Sequence, residues 1–170
     1  MRVLVTGGAG FIGSNLVDFL IQNDHKVLVI DDLSSGNISN LKQNLKKINF
    51  IESKVEDLNL SNFKKIDAVV HLAAQASVPL SISDFKNSSK TNILSTLNIL
   101  NYCHENKIPL VYASSSALYG DLKIGNDEKE EINLLSPYAA DKYLMEVYSK
   151  VLFDLSGLST IGLRFFNVYG

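Results

Sequence analysis

A tyrosine and a lysine at helical spacing are the side chains of this sequence best suited to acid–base chemistry. Ser136 and Pro137 have the types expected for a helix N-cap and first helical position. Tyr138 and Lys142 would then lie one turn apart on the same face of that helix. An ammonium beside a phenol stabilises the phenolate and lowers the phenol pKa from about 10. The pair could therefore act as a general base toward a hydroxyl group.

A serine run, Ser114–Ser116, follows an apolar segment that begins at Leu110. If that segment is a strand of a parallel sheet, the serines lie at its carboxyl end, where ligands bind, and one hydroxyl could hydrogen-bond the Tyr138 oxygen. Alone, the serines are more typical of a hydroxyl-rich turn. The Tyr138–Lys142 pair, taken alone, is more typical of an exposed helix face. Their occurrence together favours the catalytic interpretation.

A glycine-rich turn near the start of the chain is suited to holding phosphate. Gly8, Gly10 and Gly13 match the G-x-G-x-x-G spacing, after the apolar run Val3–Val5 and at the start of an apolar-periodic helix. Glycines let the backbone approach a pyrophosphate, and the helix N-terminus offers free N–H groups. The alternative is a tight turn that only packs helix on strand. The order strand, turn, helix favours a dinucleotide.

Two aspartates, Asp31 and Asp32, end the second apolar run. A carboxylate at this position can accept hydrogen bonds from both ribose hydroxyls of an adenosine and would repel a 2′-phosphate. Asp31 has the appropriate distance from the glycine turn, so the cofactor expected is NAD rather than NADP. The alternative role is to cap a turn, which Asp32 or Ser34 could also do.

Strands and helices alternate along the sequence, which predicts an α/β fold with a doubly wound parallel sheet, the Rossmann fold. We expect strand order 3-2-1-4-5-6 and ligands at the carboxyl ends of the strands. The predicted strands are Arg2–Val5, Lys26–Ile30, Asn49–Glu52, Ala68–His71, Leu110–Ala113 and Thr160–Arg164. The predicted helices are Phe11–Gln22, about Ile38–Lys46, about Asp84–Asn106 and Pro137–Leu155, with a short one near Leu58–Phe63.

Composition restricts the partners. The 170 residues carry a net charge of −2, so no basic field is available for nucleic acid or anionic lipid. No apolar run is long enough to span a bilayer, and glycines interrupt any signal-peptide core, so a cytoplasmic protein without membrane attachment is expected. Lys42, Lys46 and Lys47 are interpreted as a solvated helix face. Cys103 is expected in the core, and His71 is assigned no chemistry. No metal site is predicted.

These segments together resemble the extended short-chain dehydrogenase/reductase superfamily, in its NAD-dependent nucleotide-sugar epimerase/dehydratase branch. The similar stretches occur in the family's order along the whole chain. They are TGGAGFIGSNL, DDLSSG, HLAAQASVP, TNILSTLNIL, YASSSALYG, SPYAADKYLMEVY and LRFFNVYG. The similarity is greatest to 4-epimerases of the UDP-glucose or UDP-N-acetylglucosamine type. Related 4,6-dehydratases have an Asp-Glu pair where this sequence has Ser116 and Ala117.

The resemblance implies roles for individual residues. The catalytic set would be Ser115, Tyr138 and Lys142, with Ser116 as the alternative to Ser115. The cofactor would be held by Gly7, Gly10, Phe11, Ile12, Gly13, Asp31, Asp32, Ser35, Gly36, Leu72, Ala73, Ala74, Asn92, Tyr138, Lys142 and Phe165. The nucleotide-sugar substrate, of UDP-hexose type, would contact Ser77, Ser115, Tyr138 and Asn167. Lys54 stands where the family usually has an aspartate that contacts adenine.

The resemblance also bears on domain organisation and assembly. Relatives continue into a C-terminal domain that grips the nucleoside diphosphate, so residues 1–170 are expected to form the NAD-binding domain with that substrate domain absent. A homodimer through the helices around 84–106 and 137–155 is an expectation of the same kind. The polar connection Gly120–Ser136 is expected near the mouth of the site. The alternatives to an epimerase are a non-catalytic NAD-binding fragment and another dehydratase or reductase reaction of the family.

Overall fold

A parallel β-sheet forms the centre of the computed structural model, which describes residues 1–63, 65–121 and 131–170. Within these residues the strand order is β3-β2-β1-β4-β5-β6, and every neighbouring pair is parallel. The strands are β1 (Arg2–Thr6), β2 (Lys26–Asp31), β3 (Asn49–Glu52), β4 (Ala68–His71), β5 (Leu110–Ser115) and β6 (Thr160–Phe165). The predicted fold class and strand order are confirmed.

Helices cover both faces of this sheet. The α-helices of the described residues are α1 (Phe11–Gln22), α2 (Val78–Ser83), α3 (Phe85–Asn106) and α4 (Pro137–Ser156). The Ser136 hydroxyl accepts the Ala139 N–H at 3.1 Å, which is the N-cap expected for α4. The sequence did not predict α2, although Ser77 caps it and Pro79 lies in its first turn. Among the described residues, no helix is both long and apolar enough to cross a membrane.

The predicted helix at Ile38–Lys46 is wrong. Only a single 3₁₀ turn, Ile38–Leu41, forms there. Two asparagine side chains of the segment bind other elements instead of solvent: Asn40 donates to the Ala9 carbonyl at 2.8 Å, and Asn44 donates to Asp18 at 2.6 Å. Asparagine has a low helix propensity because its amide competes for backbone groups. The lysines of this segment are exposed, but they lie on turns and not on a helix face.

Each face of the sheet has its own apolar core. Leu4, on one face of β1, packs in a cluster with Ile99 of α3 and Met145 of α4. Val5, on the other face, packs with Val17 of α1. Cys103 is fully buried in the first cluster, as predicted, and burial raises its thiol pKa to about 12. Two covered faces leave the carboxyl edge of the sheet as the place for a site.

Part of the connection Gly120–Ser136 can be located. Asn133 donates its backbone N–H to the Leu118 carbonyl at 2.8 Å, and Gly120 lines the main cleft of the protein. Residues 122–130 lie outside the described residues. The expectation that this connection lies near the mouth of the site can therefore be compared with the structure only near the two ends of the connection, at Gly120 and Asn133.

Candidate active site

An open cleft of about 1250 Å³ lies at the carboxyl ends of the parallel strands. The structure brings almost all of the predicted site residues to this one cleft. The predicted residues that line it are Gly7, Gly10, Phe11, Ile12, Gly13, Asp31, Asp32, Ser35, Gly36, Leu72, Ala73, Ala74, Ser77, Ser115, Tyr138, Lys142, Phe165 and Asn167. They come from the ends of five strands and from the starts of three helices, as the doubly wound topology requires.

Other backbone atoms lie too close to the glycine-rich turn for any side chain at Gly7 or Gly13. Gly7 has φ +71°, and a Cβ there would lie 2.6 Å from the backbone nitrogen of Ala73. A Cβ on Gly13 would lie 2.1 Å from the Gly7 carbonyl oxygen. Gly10 begins α1 without a side-chain cap, so the first N–H groups of the helix remain available to an anion. The turn therefore combines close backbone approach with a helix N-terminus.

Asp31 connects the glycine-rich turn to the loop after β2. Its buried carboxylate accepts the Ala9 N–H at 2.8 Å and the Leu33 N–H at 2.9 Å. Asp32 caps its own turn, because it accepts both the N–H and the hydroxyl of Ser34, at 3.0 and 2.6 Å. The turn-capping alternative thus describes Asp32 well. The contact between Asp31 and the ribose stays a prediction. The Asp31 carboxylate that would make this contact is held at the wall of the cleft by its two hydrogen bonds.

Ser115, Tyr138 and Lys142 converge where β5 meets the first turns of α4. The Ser115 hydroxyl is close enough to the Tyr138 phenol to act on its pKa as a hydrogen-bonding partner. The Lys142 ammonium donates to the Ala113 carbonyl at 2.8 Å and lies 5.9 Å from the centre of the Tyr138 ring. Ser115, rather than the alternative Ser116, therefore supplies the hydroxyl that contacts the phenol. The three functional groups are adjacent, as the helical spacing predicts.

The pKa of Tyr138 differs from the sequence-based expectation. Burial raises it, and the hydrogen bond with Ser115 opposes this effect without cancelling it. Lys142 does not lower the Tyr138 pKa here because its ammonium is directed at the backbone of β5 and not at the phenol oxygen. Burial also lowers the pKa of Lys142 to about 8, against the opposing charge of Asp141. Forming the phenolate therefore requires additional positive charge near the ring.

Asn92 is the one predicted cofactor residue that does not line the cleft. Its buried side-chain amide accepts the Gln75 backbone N–H at 2.8 Å and donates to the Gln75 backbone carbonyl at 3.2 Å. The amide also donates to Asp141 at 3.1 Å. Asn92 thus fixes the loop after β4 against α4, since all of its polar atoms are used within the protein.

Ser81 was not recognised from the sequence. It is fully buried in α2, accepts the backbone N–H of Tyr138 at 3.2 Å and donates to the Val78 carbonyl at 2.7 Å. This contact fixes the first turn of α4, which carries Tyr138. No local pattern could have identified it, because the two residues are distant in sequence and α2 itself was not predicted.

His71 is structural, as expected, and it joins the glycine-rich turn to the loop after β4. Its imidazole nitrogen lies 2.6 Å from the Thr6 hydroxyl, which in turn accepts the Ala73 N–H at 3.2 Å. The tautomer of the neutral imidazole decides which of the two groups donates in this contact. Burial, aided by the charge of Lys142, lowers the His71 pKa to about 3.

Because His71 is neutral in the folded protein, we expect the free energy of unfolding to fall on acidification. The unfolded imidazole binds a proton below about pH 6.5, whereas the folded one binds it only near pH 3. The stabilisation is therefore complete above pH 6.5 and is lost as the pH falls toward 3. Between pH 7.5 and pH 5 we expect it to account for about 2 kcal/mol of the free energy of unfolding.

Urea unfolding at the two pH values measures this effect. His71→Asn, which keeps an acceptor near the Thr6 hydroxyl, should show a pH-dependent loss smaller by that amount. His104→Gln is the control, because His104 is exposed. Equal pH dependence in His71→Asn and the parent protein would contradict the assignment.

The comparisons with known proteins agree with this architecture. A doubly wound sheet with a glycine-rich turn before α1 and an aspartate at the end of β2 is typical of dinucleotide-binding proteins. The chain belongs to the NAD dependent epimerase/dehydratase family, whose sequence profile matches residues 3–170.

Three relatives illustrate the similarity. A putative UDP-glucose 4-epimerase of Methanocaldococcus jannaschii is 41% identical, with 99% of this chain and 56% of the relative aligned. The structure of UDP-N-acetylglucosamine 4-epimerase from Methanobrevibacter ruminantium, in complex with UDP-N-acetylmuramic acid, gives a TM-score of 0.92 at 42% identity, covering 99% of this chain and 56% of that chain. Thermus thermophilus UDP-glucose 4-epimerase, complexed with NAD, gives 0.89 at 38% identity, covering 100% and 56%. The chain thus spans about half the length of these relatives.

Proposed function

We propose that residues 1–170 form the NAD-binding domain of a nucleotide-sugar 4-epimerase that acts on a UDP-hexose. The observation that carries this proposal is the neighbouring Ser115–Tyr138 pair beside Lys142. It lies in the same cleft as the glycine-rich turn. A dinucleotide site without such a pair could bind the cofactor but would have no base to take a proton from a substrate. A base in the same cleft can take the proton of a substrate hydroxyl, which would allow a bound cofactor to accept the hydride from the same carbon.

The cleft residues fit NAD along its length. The N-terminus of α1 and the closely packed Gly7 and Gly13 suit the pyrophosphate. The fixed carboxylate of Asp31 suits the adenosine ribose and disfavours a 2′-phosphate. Phe165, at the end of β6, offers an apolar surface to the nicotinamide ring, close to Ser115, which is its β5 partner in the sheet.

Two side chains of the protein would take part in the proton transfer. Tyr138 accepts the proton of the sugar 4-hydroxyl and later returns it, while Ser115 hydrogen-bonds the same phenol oxygen and shares that proton. When bound, NAD would supply a positive charge that favours the Tyr138 phenolate and a reversible acceptor for the hydride of the sugar C4. The Lys142 ammonium lies 5.9 Å from the centre of the Tyr138 ring and is held in the cleft by the Ala113 carbonyl.

Epimerisation is favoured over dehydration by the residues after β5. Water elimination needs an acid and a base at the neighbouring carbon, and the resemblance places these in dehydratases where this chain has Ser116 and Ala117. Ser116 and Ala117 both line the cleft, and neither can supply a carboxylate. The relatives named above are 4-epimerases, which supports the same choice.

Binding and turnover of the full gene product test the proposal. Calorimetric titration should show NAD binding and much weaker NADP binding. Incubation with UDP-glucose and with UDP-N-acetylglucosamine, followed by chromatography, should show the C4 epimer of at least one without net NADH formation. NAD binding with no turnover of either sugar would favour the non-catalytic alternative. Accumulation of a 4-keto product would favour a different reaction of the family.

A further inference from the structure

A third contact between β5 and α4 lies behind the Ser115–Tyr138 and Ala113–Lys142 contacts. The Ser114 hydroxyl donates to the Glu146 carboxylate at 2.5 Å. Tyr138, Lys142 and Glu146 are spaced by four residues, so three successive turns of α4 hold three consecutive residues of β5. Glu146 is the member of this series that does not line the cleft.

Glu146 also connects α4 to β6. Its carboxylate accepts two hydrogen bonds from Arg164, from Nε at 2.9 Å and from Nη2 at 2.7 Å. Both side chains are mostly shielded, with 26% of the arginine and 19% of the glutamate exposed. Burial alone would raise the pKa of Glu146, but the hydrogen bonds from Arg164 and Ser114 outweigh it and lower the pKa. The carboxylate is therefore charged and fully engaged at neutral pH.

Arg164 carries the connection on to the cleft wall. Its guanidinium lies 4.9 Å from the centre of the Tyr119 ring, and that ring stacks on Phe166 with centres 6.1 Å apart and planes inclined by 22°. Phe165 and Phe166 follow Arg164 directly and line the cleft. One carboxylate thus holds the ends of β5 and β6, through Ser114 and Arg164 respectively.

We propose that Glu146 and Arg164 are positioning residues for the proposed epimerase reaction. Neither residue lines the cleft, so neither is placed to touch a molecule bound in it. Their bidentate pair sets the register of β5 and β6 against α4, and thereby the Ser115–Tyr138 geometry and the place of the Phe165 surface. This inference rests on the proposed function.

The chemistry of the pair supports positioning over mere stability. A buried ion pair is weak evidence for stability, since desolvation offsets much of its attraction. The planar guanidinium, in contrast, fixes the orientation of the pair, because its Nε and Nη2 donors must meet the two carboxylate oxygens together. A displacement of about 1 Å in a reacting geometry can lower a rate about a hundredfold. Small shifts of β5 against α4 are therefore expected to affect turnover strongly.

Glu146→Gln in the full gene product is the primary test. The amide keeps the size of the side chain but loses the charge and one acceptor oxygen. We expect kcat to fall about 10- to 100-fold, while KM and NAD affinity change by less than about threefold, because no binding group is removed. The Ser115 hydrogen bond lowers the Tyr138 pKa. Loosening it should therefore move the acidic limb of the kcat–pH profile to higher pH, an effect that a purely structural role would not produce.

Two further variants make the test decisive. Asp154→Asn breaks the exposed Lys150–Asp154 pair on the same helix, 2.7 Å apart, and should leave all kinetic parameters unchanged. Arg164→Lys keeps the charge but loses the fork, so it should reproduce the kcat loss even if Glu146→Gln folds poorly. The double variant should be no worse than the more impaired single variant.

The outcomes separate this inference from the proposed function. A Glu146→Gln or Arg164→Lys protein with kcat within twofold of the parent and an unmoved pH profile overturns the positioning role. Additive losses in the double variant overturn it as well. If Tyr138→Phe is inactive in the same assays, the proposed function survives that result. If Tyr138→Phe is fully active, both fail together.

Discussion

Replacing Tyr138 with phenylalanine is expected to lower kcat for C4 epimerisation about a thousandfold while NAD remains bound. The hydroxyl is the group proposed to take the substrate proton, and general-base removal typically costs 10²–10⁴-fold. The ring itself is retained, so the wall of the cleft keeps its shape. The Ser115 side chain loses one partner but keeps its contact with the Ala117 N–H at 3.1 Å. Folding should therefore be little affected.

Steady-state kinetics of the full gene product, with bound nucleotide measured separately, would check this expectation. Tyr148→Phe is the matched control, because Tyr148 lies on the exposed side of the same helix and is 43% exposed. Its kcat should equal that of the parent protein. Turnover by Tyr138→Phe within tenfold of the parent would mean that another group accepts the proton. The assignment of Tyr138 as the base would then be wrong.

Gly13→Ala is expected to reduce NAD affinity more than a hundredfold and to lower the unfolding temperature. The new Cβ would lie 2.1 Å from the Gly7 carbonyl oxygen and 2.7 Å from the Gly8 Cα, and both neighbours are backbone. The turn must therefore open, which moves the N–H groups proposed to face the pyrophosphate. We expect this loss of affinity and stability although alanine is more favourable than glycine in a helix interior by about 1 kcal/mol.

Gly10→Ala provides the contrast for stability. A Cβ at position 10 would meet only the Gly7 carbonyl oxygen, at 3.3 Å, so the free energy of unfolding should stay within about 1 kcal/mol of the parent. Calorimetric NAD titration and thermal unfolding of both variants make the comparison. Parent-like NAD affinity in Gly13→Ala would show that the close packing of this turn is not required for binding.

Much of the fold follows from local pattern. The bounds of α1 were predicted without error, because a glycine-rich turn precedes it and its apolar spacing is regular. The four central strands are apolar runs buried on both faces, which is the pattern of a parallel sheet. Parallel strands bring their carboxyl ends to one edge, and this is why the site residues that the resemblance implies lie in one cleft.

The errors have long-range causes. The segment after Asn37 has helical spacing, but the partners of Asn40 and Asn44 are Ala9 and Asp18 on other elements. Neither partner is recognisable from the segment itself. The raised pKa of Tyr138 depends on burial and on the direction of the Lys142 ammonium, which only packing decides. Glu146 and Arg164 likewise looked like ordinary charged residues until the sheet placed them together.

The central position of β1 has a consequence for the order of folding during synthesis. Thr6 of β1 lies opposite His71 of β4, 65 residues further along the chain. Its other neighbour, β2, follows after the single helix α1. Closing the longer loop costs about 1 kcal/mol more in chain entropy, so we expect β1, α1 and β2 to associate first on the ribosome. β4 pairs with the other edge of β1 later, and Phe165 and Asn167 join the cleft only after β6 has emerged and paired with β5.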